Sequence, residues 1–140
     1  MNGSESRIVM VSGRFRHWLP SGELDREAME REREDEQWWA DFVVNEGFSC
    51  IPLIWAFRRF EGVLSDDEVI LMTCALVGRR RPGYDHILMR EGWDEEPISE
   101  GSMAEYKAAE ERGVVVCYNR HGADALADYF ASLRAEETVA

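Results

Sequence analysis

Four short apolar runs, each followed by a longer helix-forming stretch, constrain this chain more than any other feature. Arg7-Ile-Val-Met-Val-Ser12 is rich in β-formers and stops at the turn signal Ser12-Gly13. Phe48-Ser-Cys-Ile-Pro-Leu-Ile54 is a second run, with Pro52 toward its C-terminal end, where a missing N–H does least harm. Tyr84 to Met89 is a third, and Val114-Val-Val-Cys-Tyr118 is the clearest buried strand. Between them, Leu24–Glu46 lacks Gly and Pro and is full of Glu, Arg, Ala and Gln, all strong helix formers. Gly47 then supplies its stop. Ser65-Asp66-Asp67-Glu68 is a capping serine followed by acids that suit a helix dipole, predicting a helix through Leu71 and Leu76 to Gly78. Ser99–Arg112 reads as a helix closed by Gly113. A last helix carries Ala123, Leu126, Ala127, Phe130 and Leu133 on one face.

The order β-α-β-α-β-α-β-α predicts one α/β domain over residues 1–140, with a parallel sheet of four to five strands flanked by helices. In such sheets the ligand crevice lies beyond the carboxyl ends of the strands. That directs attention to segments 12–18, 54–64, 89–102 and 118–122.

Charge narrows the partners. Sixteen Lys and Arg stand against 28 Asp and Glu, a formal charge of −12, which argues against binding polynucleotides through their phosphates. Eight acids and three arginines in residues 23–36 place −5 on what reads as one exposed helix. Only near Trp38, Trp39, Phe42 and Val43 does that helix show an apolar face. Cys50, Cys74 and Cys117 are odd in number and widely spaced in apolar runs, so they suit buried thiols in a reducing compartment. His17, His86 and His121 lack ligand spacing, and no metal or other cofactor is expected. No run reaches membrane-spanning length and no basic-then-apolar leader opens the chain, so a cytoplasmic protein is expected.

Two of the four segments carry groups that suit ligand chemistry. In Ser12-Gly13-Arg14-Phe15-Arg16-His17-Trp18, a glycine allows close backbone approach, and Arg14 and Arg16 offer bidentate contacts to an anion. In Gly92-Trp-Asp-Glu-Glu-Pro-Ile-Ser99-Glu-Gly101-Ser102-Met-Ala-Glu105, the small polar residues at a helix start can present N–H groups and hydroxyls to a phosphate. Glu105 follows in the first turns of that helix. A carboxylate kept ionised there could attack a sugar carbon, but from spacing alone a solvated cap is the favoured reading. Trp55, Phe57 and Trp93 are candidates for stacking on a base, and equally for core or rim.

With these residues the sequence resembles the nucleoside 2-deoxyribosyltransferase-like superfamily, which includes the 2′-deoxynucleoside 5′-phosphate N-hydrolases. The resemblance rests on Ile8-Val-Met-Val-Ser-Gly13-Arg-Phe-Arg16, on Glu46-Gly-Phe-Ser-Cys-Ile-Pro52, and most specifically on Tyr84-Asp85 followed by Ser99-Glu-Gly101-Ser-Met-Ala-Glu105. It covers roughly residues 7–118. It implies a flavodoxin/Rossmann-like three-layer sandwich and cleavage or exchange of an N-glycosidic bond in a (deoxy)nucleoside 5′-monophosphate. It makes Glu105 the nucleophile and Gly13, Arg14, Arg16, Ser99, Gly101 and Ser102 the phosphate contacts. Arg14 replaces the usual proline. The family's acid before the third strand has no match, since counting back from Asp85 meets Val77; Asp67 or its neighbour Asp66 is the candidate substitute. The resemblance further implies a homodimer and a small-molecule partner. The alternative function is a catalytically silent relative that senses a nucleotide, or an acidic protein that blocks a partner.

Overall fold

The computed structural model describes residues 7–139. In chain order its elements are β1 (Ile8–Ser12), α1 (Arg26–Asn45), β2 (Ser49–Pro52), α2 (Ile54–Arg59), α3 (Asp66–Gly78), β3 (His86–Met89), α4 (Glu100–Arg112), β4 (Val115–Tyr118) and α5 (Ala123–Val139). The four strands form one sheet in the order β2-β1-β3-β4, and every pairing is parallel. The expected α/β architecture, a flavodoxin/Rossmann-like three-layer sandwich, is therefore present, with four strands among the described residues.

Side-chain alternation along the strands builds the two outer layers. Val9 and Val11 of β1 pack with Trp39 and Val43 of α1 and with Leu126, Phe130 and Leu133 of α5. Met10 of β1, with Ile87 and Met89 of β3, packs on the opposite face against Val77 of α3 and Ala109 of α4. A third cluster joins Phe15, Met29, Ile54, Phe57 and Val69, bringing the β1 loop, α1, α2 and α3 together. Pro52 is tolerated because β2 is an edge strand, with only β1 beside it.

Helix ends follow the local chemistry. Ser65 and Glu68 form a reciprocal capping box at the start of α3. Ser99 caps α4, which stops at Gly113 in a left-handed conformation, φ 73°, that other residues resist. One element departs from expectation. The stretch after β2 turns at once into the six-residue α2, because a single helical turn of Ile-Trp-Ala-Phe offers no period to distinguish it from a loop.

The third strand begins at His86 rather than Tyr84, and Asp85 explains the delay. Its buried carboxylate accepts the Ile8 N–H at 3.0 Å and the Arg81 N–H at 2.9 Å, and the Arg81 guanidinium lies 3.2 Å away. Asp85 thus ties the entry of β3 to that of β1. Beside it, the buried Arg7 donates to the Tyr84 carbonyl at 2.7 Å and to Glu137 at 3.0 Å. His86 lies between the Tyr84 carbonyl and the Tyr129 hydroxyl, and burial pulls its pKa down to about 4. Its Nδ1 therefore donates to the carbonyl and its Nε2 accepts from the tyrosine.

Replacing Asp85 with alanine removes the acceptor of two part-buried N–H groups. Asp85→Ala is expected to lose about 3 kcal/mol of stability, read as a lower guanidinium chloride midpoint at unchanged slope.

Candidate functional site

At the carboxyl ends of β1 and β3, where the strand order reverses direction, the structure holds a cavity of about 580 Å³. Residues 13–18 after β1 form one wall and residues 95–102, leading into α4, form another. Phe57 of α2 and Asp66 and Ile70 of α3 close the remaining side.

Glu105 lines this cavity from α4. Ser102, Glu105 and Ala109 are the buried residues of that helix and share its inward face, at i, i+3 and i+7. The Glu105 side chain is 3% exposed. Its Oε1 accepts a 2.6 Å hydrogen bond from the Ser12 hydroxyl, at the last residue of β1. Its Oε2 is buried and finds no hydrogen-bond partner among the described residues. Burial raises the pKa of this carboxyl, and the nearby Ser12 and Thr73 hydroxyls oppose that shift without reversing it. The site therefore presents one carboxyl oriented by Ser12, with its second oxygen buried.

The wall formed by residues 13–18 is held from beneath by Arg90, the residue after β3, whose side chain is fully buried. Its Nη1 donates to Asp35 at 2.8 Å and to Glu32 at 3.1 Å, both on α1. Its Nη2 donates to the Arg14 carbonyl at 2.9 Å. Gly13 is required here for a reason beyond ligand approach, since a Cβ would stand 2.7 Å from Arg90 Nε. Glu32 also meets His17 at 2.6 Å, which ties the far end of the loop to α1.

The two arginines of the wall reach opposite sides of the cavity. Arg14 donates to the Glu95 carbonyl at 2.6 Å, joining one wall to the other. Arg16 grips Asp66 with two nitrogens, at 2.8 and 3.0 Å. Ser99 caps α4 by accepting the Ser102 N–H at 3.4 Å, and its hydroxyl donates to that of Ser102 at 3.2 Å. Carboxylates outnumber basic groups on the lining, where Asp66, Glu95, Glu96, Glu100 and Glu105 face Arg14, Arg16 and His17.

The structure thus brings together Gly13, Arg14, Arg16, Ser99, Gly101, Ser102 and Glu105 around one cavity. Three expected site residues stand outside its lining. Asp67 is exposed beside Asp66, because one residue of helix rotates it about 100° away from the wall. Trp55 is 59% exposed: α2 turns Phe57 into the lining and leaves Trp55 outside it. Trp93 is buried against Tyr106, with ring centroids 4.7 Å apart, and belongs to the core.

The acidic half of α1 also needs correction. It is not simply a solvated face: Glu32 and Asp35 bind Arg90, and Glu36 is buried with its Oε2 accepting the Ile54 N–H at 3.0 Å. Glu36 stands at i, i+3, i+4 and i+7 with Trp39, Ala40 and Val43, and that spacing was the signal that it faces inward. Burial pushes its pKa up to about 8; the Ile54 N–H and Arg90 pull it down, and Glu105 and Asp35 push it further up.

Comparison of the chain with protein-family models, with curated proteins and with solved structures finds no match.

Between pH 4.5 and about 8 the native Glu36 keeps a proton that the unfolded chain releases. The native state then binds more protons, so stability falls as pH rises through this window. Glu36→Gln imitates the protonated form and is expected to remove that fall, on the order of 3 kcal/mol between pH 5 and 8. Urea unfolding of both proteins at the two pH values measures it.

Proposed function

We propose that this protein cleaves or exchanges the N-glycosidic bond of a (deoxy)nucleoside 5′-monophosphate, with Glu105 as the nucleophile. The observation that carries the reading is the asymmetry of this carboxyl group in a residue that lines the cavity: Oε1 is oriented by Ser12, while Oε2 is buried and has no hydrogen-bond partner among the described residues. A nucleophile needs that combination, a fixed carboxylate with one oxygen free to meet carbon. The spacing of Ser99, Gly101 and Glu105 adds the resemblance to nucleoside 2-deoxyribosyltransferase-like proteins.

In this scheme Glu105 Oε2 attacks the anomeric carbon and forms a glycosyl ester. The C–N bond breaks and its electron pair leaves with the base, which takes up a proton. Water then opens the ester to release the sugar phosphate, or a second base reforms the glycosidic bond. Burial disfavours the ionised carboxylate, whereas the positive charge that develops at the anomeric carbon favours it. Binding energy from the remainder of the nucleotide offsets the cost of presenting that charge. Phe15, Trp18 and Phe57 are the aromatic side chains on the lining that are available to the base. Arg16 and the Ser99–Ser102 turn are the phosphate contacts of this reading.

Incubation with a panel of deoxynucleoside and ribonucleoside monophosphates, followed by chromatography for free base, tests the reading. Release from at least one substrate is expected, and Glu105→Gln is expected to lower it roughly a thousandfold or more. The rate of the wild type should rise with pH through a carboxyl pKa above the ordinary range, because only the ionised form attacks. Thermal stabilisation by a nucleotide with no release from any substrate would instead mark a nucleotide-binding module.

A further inference from the structure

The structure contains a carboxylate seated where an anionic ligand of this cavity would be gripped. We propose that Asp66 is an internal stand-in for that anion. A phosphate monoester then enters by displacing Asp66 from the Arg16 guanidinium. The proposal rests on the reading of this cavity as a nucleotide site and names the residue that gates its anion contact.

The Arg16–Asp66 pair is bidentate: Nε donates to Oδ2 at 3.0 Å and Nη2 donates to Oδ1 at 2.8 Å. Two parallel N–H···O bonds to one carboxylate are the same fork that guanidinium offers to two oxygens of a phosphate. The two partners are unequally secured. Arg16 is largely covered and lies over the rings of Phe15 and Phe57, at 5.1 and 5.9 Å from their centroids. Both rings belong to a buried cluster, so the guanidinium is held in place with or without Asp66.

Asp66, by contrast, is 47% exposed. It is the first residue of α3, whose start is already secured by the reciprocal Ser65–Glu68 capping box. Its carboxylate can therefore leave the pair without cost to the helix start. Charge decides the direction of exchange, since a phosphate monoester carries more of it than a carboxylate. Arg16 Nη1 is buried and has no partner among the described residues. A carboxylate has two oxygens and has spent both on Nε and Nη2. A phosphate monoester presents the same two-oxygen edge with a larger charge, so it can take over that fork. An exposed ion pair is weak enough to yield to such a competitor.

Removing the charge of Asp66 should then favour the anion. Titration calorimetry at low ionic strength with inorganic phosphate as the probe compares the wild type, Asp66→Asn and Glu68→Gln. The last variant makes the same charge change two residues along while glutamine preserves the capping box. Asp66→Asn is expected to bind phosphate about three- to tenfold tighter than the wild type, and Glu68→Gln to stay within about twofold of it. Equal tightening in both variants would trace the effect to the general field of the acidic chain and overturn the proposal. So would unchanged or weaker binding by Asp66→Asn, or an absence of phosphate binding in all three proteins. Base release separates this proposal from the activity it rests on. Tighter phosphate binding by Asp66→Asn with no release from any nucleotide leaves the gate standing and removes the glycosidase. Release by the wild type with no change in phosphate affinity does the reverse.

Discussion

A guanidinium buried at the carboxyl end of β3 connects the layers of this protein around its cavity. Arg90 reaches across the sheet edge to Glu32 and Asp35 on α1 and to the Arg14 carbonyl of the loop after β1. Burying an arginine is costly unless its donors are answered; the acids of α1 answer Nη1 and the Arg14 carbonyl answers Nη2, while Nε has no partner among the described residues. The helix with the greatest excess of negative charge is therefore packed beside the most deeply buried cation. The same contact sets the height of the cavity wall, since Gly13 leaves the space that the guanidinium occupies.

Two carboxyl groups then depend on the closed environment that Arg90 helps to build. Glu36 meets the first N–H of α2, and Glu105 meets the last residue of β1. Both are shifted upward by burial, yet their surroundings differ. Glu36 is tied to backbone and lies outside the cavity lining; Glu105 belongs to the lining and has a buried oxygen without a hydrogen-bond partner among the described residues. An unanswered buried oxygen is a cost to stability that structural residues avoid. Such costs accumulate where a protein meets a ligand, and here the cost falls at the topological switch point of the sheet.

Much of this arrangement was legible along the chain, and the exceptions share a cause. The strand at Arg7–Ser12 and the helix opened by Ser99 were readable from propensity, turn residues and capping chemistry. Knowing that the strands are parallel then brought the segments around Gly13 and Ser99 to one end of the sheet. Trp55 and Trp93 were not resolvable, because an indole serves a core, a rim or a ligand equally well. The short α2 was hidden by its length, and its rotation decided that Phe57, two residues from Trp55, lines the cavity. Asp67 missed the wall by a single helical step, while Asp66 beside it became the partner of Arg16.

The sequence by itself determined the order of the strands and the long helices, the parallel sheet and the end of it where the crevice opens, because these follow from local periodicity and from the handedness of connections. Only the tertiary structure decided which of the 28 acids are charged and solvated and which are buried. Glu32, Asp35 and Glu36 read as solvated charge along the helix, and the fold turned all three toward distant partners. The state of a carboxyl depends on the solvent removed around it and on charges brought near it from elsewhere in the chain. Those are properties of packing: the spacing along α1 marks Glu36 as inward-facing, but it names neither the partners of these acids nor their protonation.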